Sequence, residues 1–197
     1  DTDLIFASGP PNSILLAAQA LSKMLKKPWV ADLRDPWIDH PLNAPPSALH
    51  ASLQDYLEKS CLATADGIVV ATQAMADAIA ARINRNIPVH PFFNGYDQTA
   101  VKALSDIGTE PITVGYFGSF YGPIDPVPVV KAVAGAKAKL VHAGADYDQH
   151  LKRAAQEYGV EVESLGLLSP QESFERMHQV NIRAMVLPDD PSWAYCR

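Results

Sequence analysis

Trp29-Val30-Ala31-Asp32-Leu33-Arg34-Asp35-Pro36-Trp37 carries an apolar, strand-like segment straight into a cluster of charges. In open α/β sheets ligands sit outside the carboxyl ends of the strands, so charges directly after such a strand mark the rim of a site. Upstream, Lys26 and Lys27 suit a helix C-terminus and Pro28 stops the helix. That helix is expected to start at an Asn12 cap and to bury Ile14, Ala17, Ala18, Leu21, Met24 and Leu25 along one face. Before it, residues 4–7 form a short strand broken by Ser8-Gly9-Pro10-Pro11.

Downstream the alternation continues. After the Pro-rich residues 41–46, Ser47 opens a helix whose Leu49, Leu53, Tyr56, Leu57 and Cys61 share a face, ended by Asp66-Gly67. Residues 68–71 form a third strand, Thr72 caps a short helix through Met75 and Ile79, and residues 89–93 are extended before the turn Asn94-Gly95-Tyr96-Asp97. Apolar periodicity fades in residues 99–110, which predicts a linker between a first domain, 1–98, and a second, 111–197.

In the second domain, residues 112–117 form a strand, 118–122 a loop and 125–133 a helix. A strand at 139–143, a helix at 147–158 and a strand at 160–165 follow. Ser169-Pro170-Gln171-Glu172 combines an N-cap Ser, Pro at the first helical position and Glu three residues after the cap. A last strand is expected at 184–187. Repeated strand and helix units predict an α/β protein of two Rossmann-like domains with parallel sheets and right-handed crossovers. Both ends read as incomplete, as if the chain were a fragment.

The composition, 48% hydrophobic and 19% charged, is that of a globular protein with enough apolar material for a core. A net charge of -6 argues against a nucleic-acid partner, and the basic pairs Lys26-Lys27 and Lys152-Arg153 look like helix-surface charges. No apolar run approaches the roughly 20 residues that span a bilayer. A cytoplasmic protein is expected, with at most peripheral association at the inner face of a membrane. Cys61 and Cys196 lie far apart without metal-ligand spacing and read as plain thiols.

Together, Ser8-Gly9-Pro10-Pro11, the Asp32 to Trp37 run, Asn94-Gly95-Tyr96-Asp97, Tyr116-Phe117-Gly118-Ser119-Phe120-Tyr121 and His142-Ala143-Gly144 resemble, in order and spacing, bacterial glycosyltransferases of family 4. The resemblance implies the GT-B architecture, with the acceptor mainly on the N-terminal domain and a nucleotide-sugar donor mainly on the C-terminal one, across a cleft. It covers nearly all of this sequence but only the middle of a family member, stopping before the family's Glu-x7-Glu region. It implies a retaining, metal-independent transferase that needs no cofactor, the nucleotide-sugar being a substrate. The acceptor would be a cell-envelope glycan or lipid-linked molecule. A non-catalytic GT-B-like nucleotide-binding module is the alternative, and a related epimerase a third.

Residue by residue, Gly118, Ser119 and Phe120 place backbone N–H groups, and the helix N-terminus after them, where a diphosphate would sit. Many relatives have an Arg in or after this loop, whereas this chain has Pro123, Ile124 and Asp125. Phosphate charge then falls to the helix end or to a residue beyond 197. Gly144 and Leu167 end strands where relatives hold the nucleobase through backbone groups, and His142 reads as a core histidine. Arg34, Trp37 and Asn94 belong to the acceptor side. Arg34 either holds an anionic acceptor or pairs with Asp32 or Asp35, with Asp32 bracing the loop. Trp37 either stacks on a sugar face or packs under the loop. Asp35 and His40 are the candidates for catalytic proton transfer. Asp189-Asp190 reads as an acidic loop, and no metal site is expected.

Overall fold

The computed structural model describes residues 2–38, 40–83, 85–95, 111–190 and 193. It contains two compact units, Asp1–Gly95 with Asp190–Arg197, and Tyr96–Asp189. The expected linker, 99–110, lies outside the described residues, as do Tyr96 and Asp97 of the turn and Cys196.

The first unit runs β1 (Ile5–Gly9), α1 (Ser13–Leu25), β2 (Trp29–Leu33), α2 (Ala48–Leu62), β3 (Gly67–Val70), α3 (Gln73–Arg82) and β4 (Val89–Pro91). Its four strands pair in parallel in the order β1-β2-β3-β4, with Ser8 opposite Asp32 and Leu33 opposite both Gly9 and Val70. β2 lies inside the sheet, which is why its residues are nearly all buried. Trp29 is fully buried; its indole N–H donates to the Thr64 carbonyl at 2.9 Å and its backbone N–H to Asp66 at 2.9 Å. Leu15, Leu33, Leu62, Ile68, Val70 and Met75 complete the centre of the core.

The Ser47 and Thr72 caps form as expected, each accepting the N–H three residues on, from His50 and Met75. Asn12 stands at the N-cap position of α1 but makes no side-chain cap bond, because its backbone is already helical. Both long helices also turn a different face inward from the one their apolar residues mark. In α1, Leu15 and Ala18 are buried while Ile14, Leu21, Met24 and Leu25 are exposed. Polar residues lie on the working side: Gln19 donates to the Ser60 carbonyl and Thr64, and Ser22 to the Lys27 carbonyl. In α2, Glu58, Cys61 and Leu62 are buried while Leu49, Leu53 and Tyr56 are exposed. An inward carboxylate is tolerated because Arg82 reaches it from α3 at 3.1 Å. Burial pushes the Cys61 thiol up to about 11, so it is an inert thiol.

The second unit runs β5 (Thr113–Phe117), α4 (Val127–Gly135), β6 (Lys139–Ala143), a 3-10 turn (Tyr147–Gln149), α5 (His150–Tyr158), β7 (Val162–Gly166), α6 (Pro170–Met177) and β8 (Ile182–Ala184). All pairings are parallel, in the order β7-β6-β5-β8. The chain thus winds from β5 to one side and then crosses to the other, giving a topological switch point between β5 and β8. The Ser169–Glu172 capping box is present in both directions. Two elements shift from expectation. The helix expected at 147 starts at His150, because Asp148 and Gln149 take positive φ and break the first turn. The last strand is Ile182–Ala184 rather than 184–187, with Asn181 bonded to Thr113 at its start. β2 and β6 have the expected bounds, and the other strands differ from expectation at their ends by one or two residues, β1 most visibly, since Ser8 and Gly9 belong to the strand.

Candidate functional site

In the second unit the loop after β5 sits at the switch point, and the loop after β6 holds it in place. Gly118 N–H donates to the Ala143 carbonyl at 2.9 Å and Phe120 N–H to the Ala145 carbonyl at 2.9 Å. In return Ala145 N–H donates to Ser119 Oγ at 3.0 Å and Tyr147 N–H to the Phe120 carbonyl at 3.1 Å. Gly144 N–H donates to the Gly166 carbonyl at 2.8 Å, tying in the end of β7. The close approach requires glycine at 144. Its φ is 149°, and a Cβ there would lie 2.1 Å from the Gly118 carbonyl oxygen.

These bonds change the expected roles within the loop. The N–H groups of Gly118 and Phe120 are already spent on the neighbouring loop, so neither is offered to a ligand. The N–H groups of Ser119, Tyr121 and Gly122 find no partner among the described residues. The Phe120 ring is fully buried and stacked on Tyr116 at 4.2 Å, with the His142 ring 5.2 Å away. It anchors the loop from beneath. Nor is either nearby helix end well suited to an anion. At α4, Pro126 and Pro128 have no N–H and Val127 donates to Asp125 at 2.9 Å. At α5, Asp146 accepts from Leu151 at 2.9 Å and Lys152 at 3.1 Å, so a carboxylate already occupies that dipole end. Spacing does not mark Asp146 for this role, because only the positive-φ turn at Asp148 and Gln149 brings it to N–H groups five and six residues on. Leu167 is 80% exposed beside the end of β7.

His142 is indeed buried, at 2% exposure, but it is not idle: its Nε2 donates to the Gly118 carbonyl at 3.0 Å. Burial pushes its pKa down, opposed by that bond and by the Asp146 charge. The folded value therefore lies below the unfolded one of about 6.5. Between the two, the unfolded chain binds a proton that the folded chain does not, so stability is complete above the unfolded value and falls as pH drops toward the folded one. Thermal melts followed by far-UV circular dichroism should show the wild type losing stability below about pH 6.5, a slope that His142→Gln flattens.

In the first unit the opening segment forms a chain of polar contacts across the carboxyl ends of the strands. Ser8 Oγ at the end of β1 donates to Asp32 Oδ2 at 2.7 Å, and Arg34 Nη1 meets Asp32 Oδ1 at 3.3 Å. The same guanidinium reaches past β3 to the Phe92 carbonyl at 3.4 Å and to the Asn94 side-chain oxygen beyond β4. Arg34 N–H also donates to the Gly9 carbonyl at 3.0 Å. Asp32 is thus a brace, and Arg34 and Asn94 come together as one tie. Trp37 is only 8% exposed and belongs to the core, so it props the loop and offers no face to a sugar. His40 Nδ1 accepts from Leu42 N–H at 3.1 Å, so in the neutral ring Nε2 carries the proton. Asp35 is exposed and makes no side-chain hydrogen bond or ion pair among the described residues. No group of three metal-ligating side chains occurs among the described residues, and no described helix is long and apolar enough to cross a membrane.

No family model and no curated protein matches the sequence. Solved structures do match its fold. HepE from Anabaena in complex with UDP aligns at TM-score 0.72 and 18% identity, over 92% of this chain and 52% of HepE. The same protein has also been crystallised with UDP-glucose. The apo form of WaaB, a lipopolysaccharide outer core galactosyltransferase, aligns at TM-score 0.62 and 15% identity, over 92% and 49% of the two chains. A Listeria monocytogenes structure provisionally assigned as a UDP-N-acetylglucosamine 2-epimerase aligns at TM-score 0.51 and 10% identity, over 97% and 53%. The fold is that of the GT-B glycosyltransferases, with two Rossmann-like units, and the chain spans about half the length of these structures.

Proposed function

We propose that the chain is part of a glycosyltransferase that moves a sugar from a nucleotide-sugar donor to a glycan or lipid-linked acceptor of the cell envelope. One observation carries the reading: a glycine-bearing loop at the switch point has three amides without a partner among the described residues, in a fold whose similar structures include one holding UDP. In this reading the second unit binds the donor. The Ser119, Tyr121 and Gly122 amides meet the diphosphate and stabilise the charge that develops on it as the sugar leaves. Backbone groups near Gly144 and Leu167 hold the base. The first unit binds the acceptor beside Arg34 and Asn94, where Arg34, already paired, orients rather than neutralises. Asp35 and His40 Nε2 serve proton transfer.

Resemblance to family 4 supports a retaining, metal-independent reaction without a separate cofactor, in a cytoplasmic protein working at the inner face of the membrane. The absence of a cation at Pro123, Ile124 and Asp125 favours a second reading, a nucleotide-binding module without transferase activity. A screen of UDP-, GDP- and ADP-sugars against candidate acceptors, with the full-length gene product, separates them by release of nucleoside diphosphate. Acceptor-dependent release that persists in chelator, with the product anomer matching the donor, is the expected result. Binding without release would leave the module. Conversion of the donor sugar without an acceptor would point to an epimerase.

A further inference from the structure

The buried histidine of the second unit has a geometric consequence that rests on the donor-site reading above. The carbonyl of Gly118 and the N–H of Ser119 belong to one peptide unit, and in a trans peptide they point in opposite directions. The carbonyl end is fixed by His142 Nε2 at 3.0 Å; since a carbonyl only accepts, Nε2 carries the proton. The N–H end finds no partner among the described residues. One face of the unit rests against Gly144, where a Cβ would come within 3.0 Å of the Ser119 nitrogen and closer still to Gly118. The histidine ring is itself held, 5.2 Å from Phe120 and 6.2 Å from Tyr116, in the same stack that anchors the loop.

We propose that His142 is a positioning residue: by donating to the Gly118 carbonyl it aims the Ser119 N–H away from the protein, as the primary amide for the diphosphate of a nucleotide. Donation to the carbonyl also polarises the amide and strengthens its N–H as a donor, since hydrogen bonds in a chain reinforce one another. The ligand it serves is a nucleoside diphosphate, recognised through phosphate oxygens at this peptide.

The sequence contains a single Gly-Ser step, Gly118-Ser119. Labelling glycine carbonyl carbon and serine nitrogen with NMR-active isotopes therefore isolates one amide signal, the one in question. The test titrates UDP, GDP and ADP into the wild type, His142→Gln and His142→Leu, reading this signal and the dissociation constant, with melting temperatures alongside. Glutamine keeps an N–H donor at about the reach of Nε2; leucine does not. The expected result is a downfield shift of the Ser119 amide proton on binding in the wild type and in His142→Gln. His142→Leu should bind about tenfold more weakly, the size of a lost hydrogen bond to a charged ligand.

A merely structural histidine would lower the melting temperature and leave the Ser119 response intact. If His142→Leu does not fold, His142→Phe, which keeps a ring in the stack with Phe120 and Tyr116 but has no donor, takes its place with the same expected weakening. Nucleotide binding with an unmoved Ser119 amide, or leucine binding as tightly as the wild type, overturns this inference alone. No binding of any of the three nucleotides to the wild type overturns the donor-site reading, and this inference with it.

Discussion

Replacing Gly144 by alanine is expected to disrupt the second unit and abolish nucleotide binding there. The added Cβ would stand 2.1 Å from the Gly118 carbonyl oxygen and 2.5 Å from its carbon, which are backbone atoms with no rotamer to give way. Positive φ adds strain that a non-glycine residue meets whatever the space. Backbone strain and overpacking together suggest a loss of about 3–5 kcal/mol. The three tryptophans, Trp29, Trp37 and Trp193, all group with the first unit, so their fluorescence follows that unit. In urea the variant should therefore lose far-UV ellipticity early while its tryptophan transition stays near the wild-type midpoint. Wild-type-like stability and nucleotide affinity would mean that the loops after β5 and β6 do not meet as described.

Arg82→Leu is expected to strike the first unit instead. Glu58 is 2% exposed, with Oε2 3.1 Å from Arg82 Nη2 and Oε1 3.4 Å from Ile38 N–H. Removing the guanidinium takes a countercharge away from a buried carboxylate, and breaking such a pair typically costs about 3–5 kcal/mol. Because Glu58 also holds Ile38, the loop that carries Asp35 and Trp37 should loosen with it. The tryptophan transition is the readout here, and it should move to lower urea. Replacing both residues by leucine should recover part of the loss, since an apolar pair of similar volume buries no charge at this position. A double change as damaging as the single one would show that the carboxylate was not the cause.

These two residues also show where sequence reading reaches and where it stops. Strand and helix order was legible because turn chemistry was unambiguous: Ser47 and Thr72 cap as their types dictate, and Ser169 with Glu172 forms the full capping box. The buried faces of α1 and α2 were not. Periodicity counts apolar side chains, whereas these helices turn Gln19, Ser22 and Glu58 inward with partners supplied by distant residues. The segment from Asp32 to Trp37 reads as a charged strand end, yet the pairing of Arg34 with Asn94 spans 60 residues, beyond any local signal. The Gly118 loop is legible in the sequence as a glycine-bearing strand-to-helix turn. Which amides it keeps free is not, because that depends on the loop after β6. His142 looked like core and is core; only its bond to Gly118 gives it a part in the site.

Donor binding is measured most simply by titrating the purified chain with UDP, GDP and ADP by isothermal calorimetry, with the matching nucleotide-sugar as competitor. The proposed donor site predicts saturable binding of at least one of them at a single site per chain, displaced by its sugar conjugate and lost in Gly144→Ala while Arg82→Leu retains it. Absence of saturable binding by all three at millimolar concentration would contradict the assignment of the Gly118 loop as the donor site.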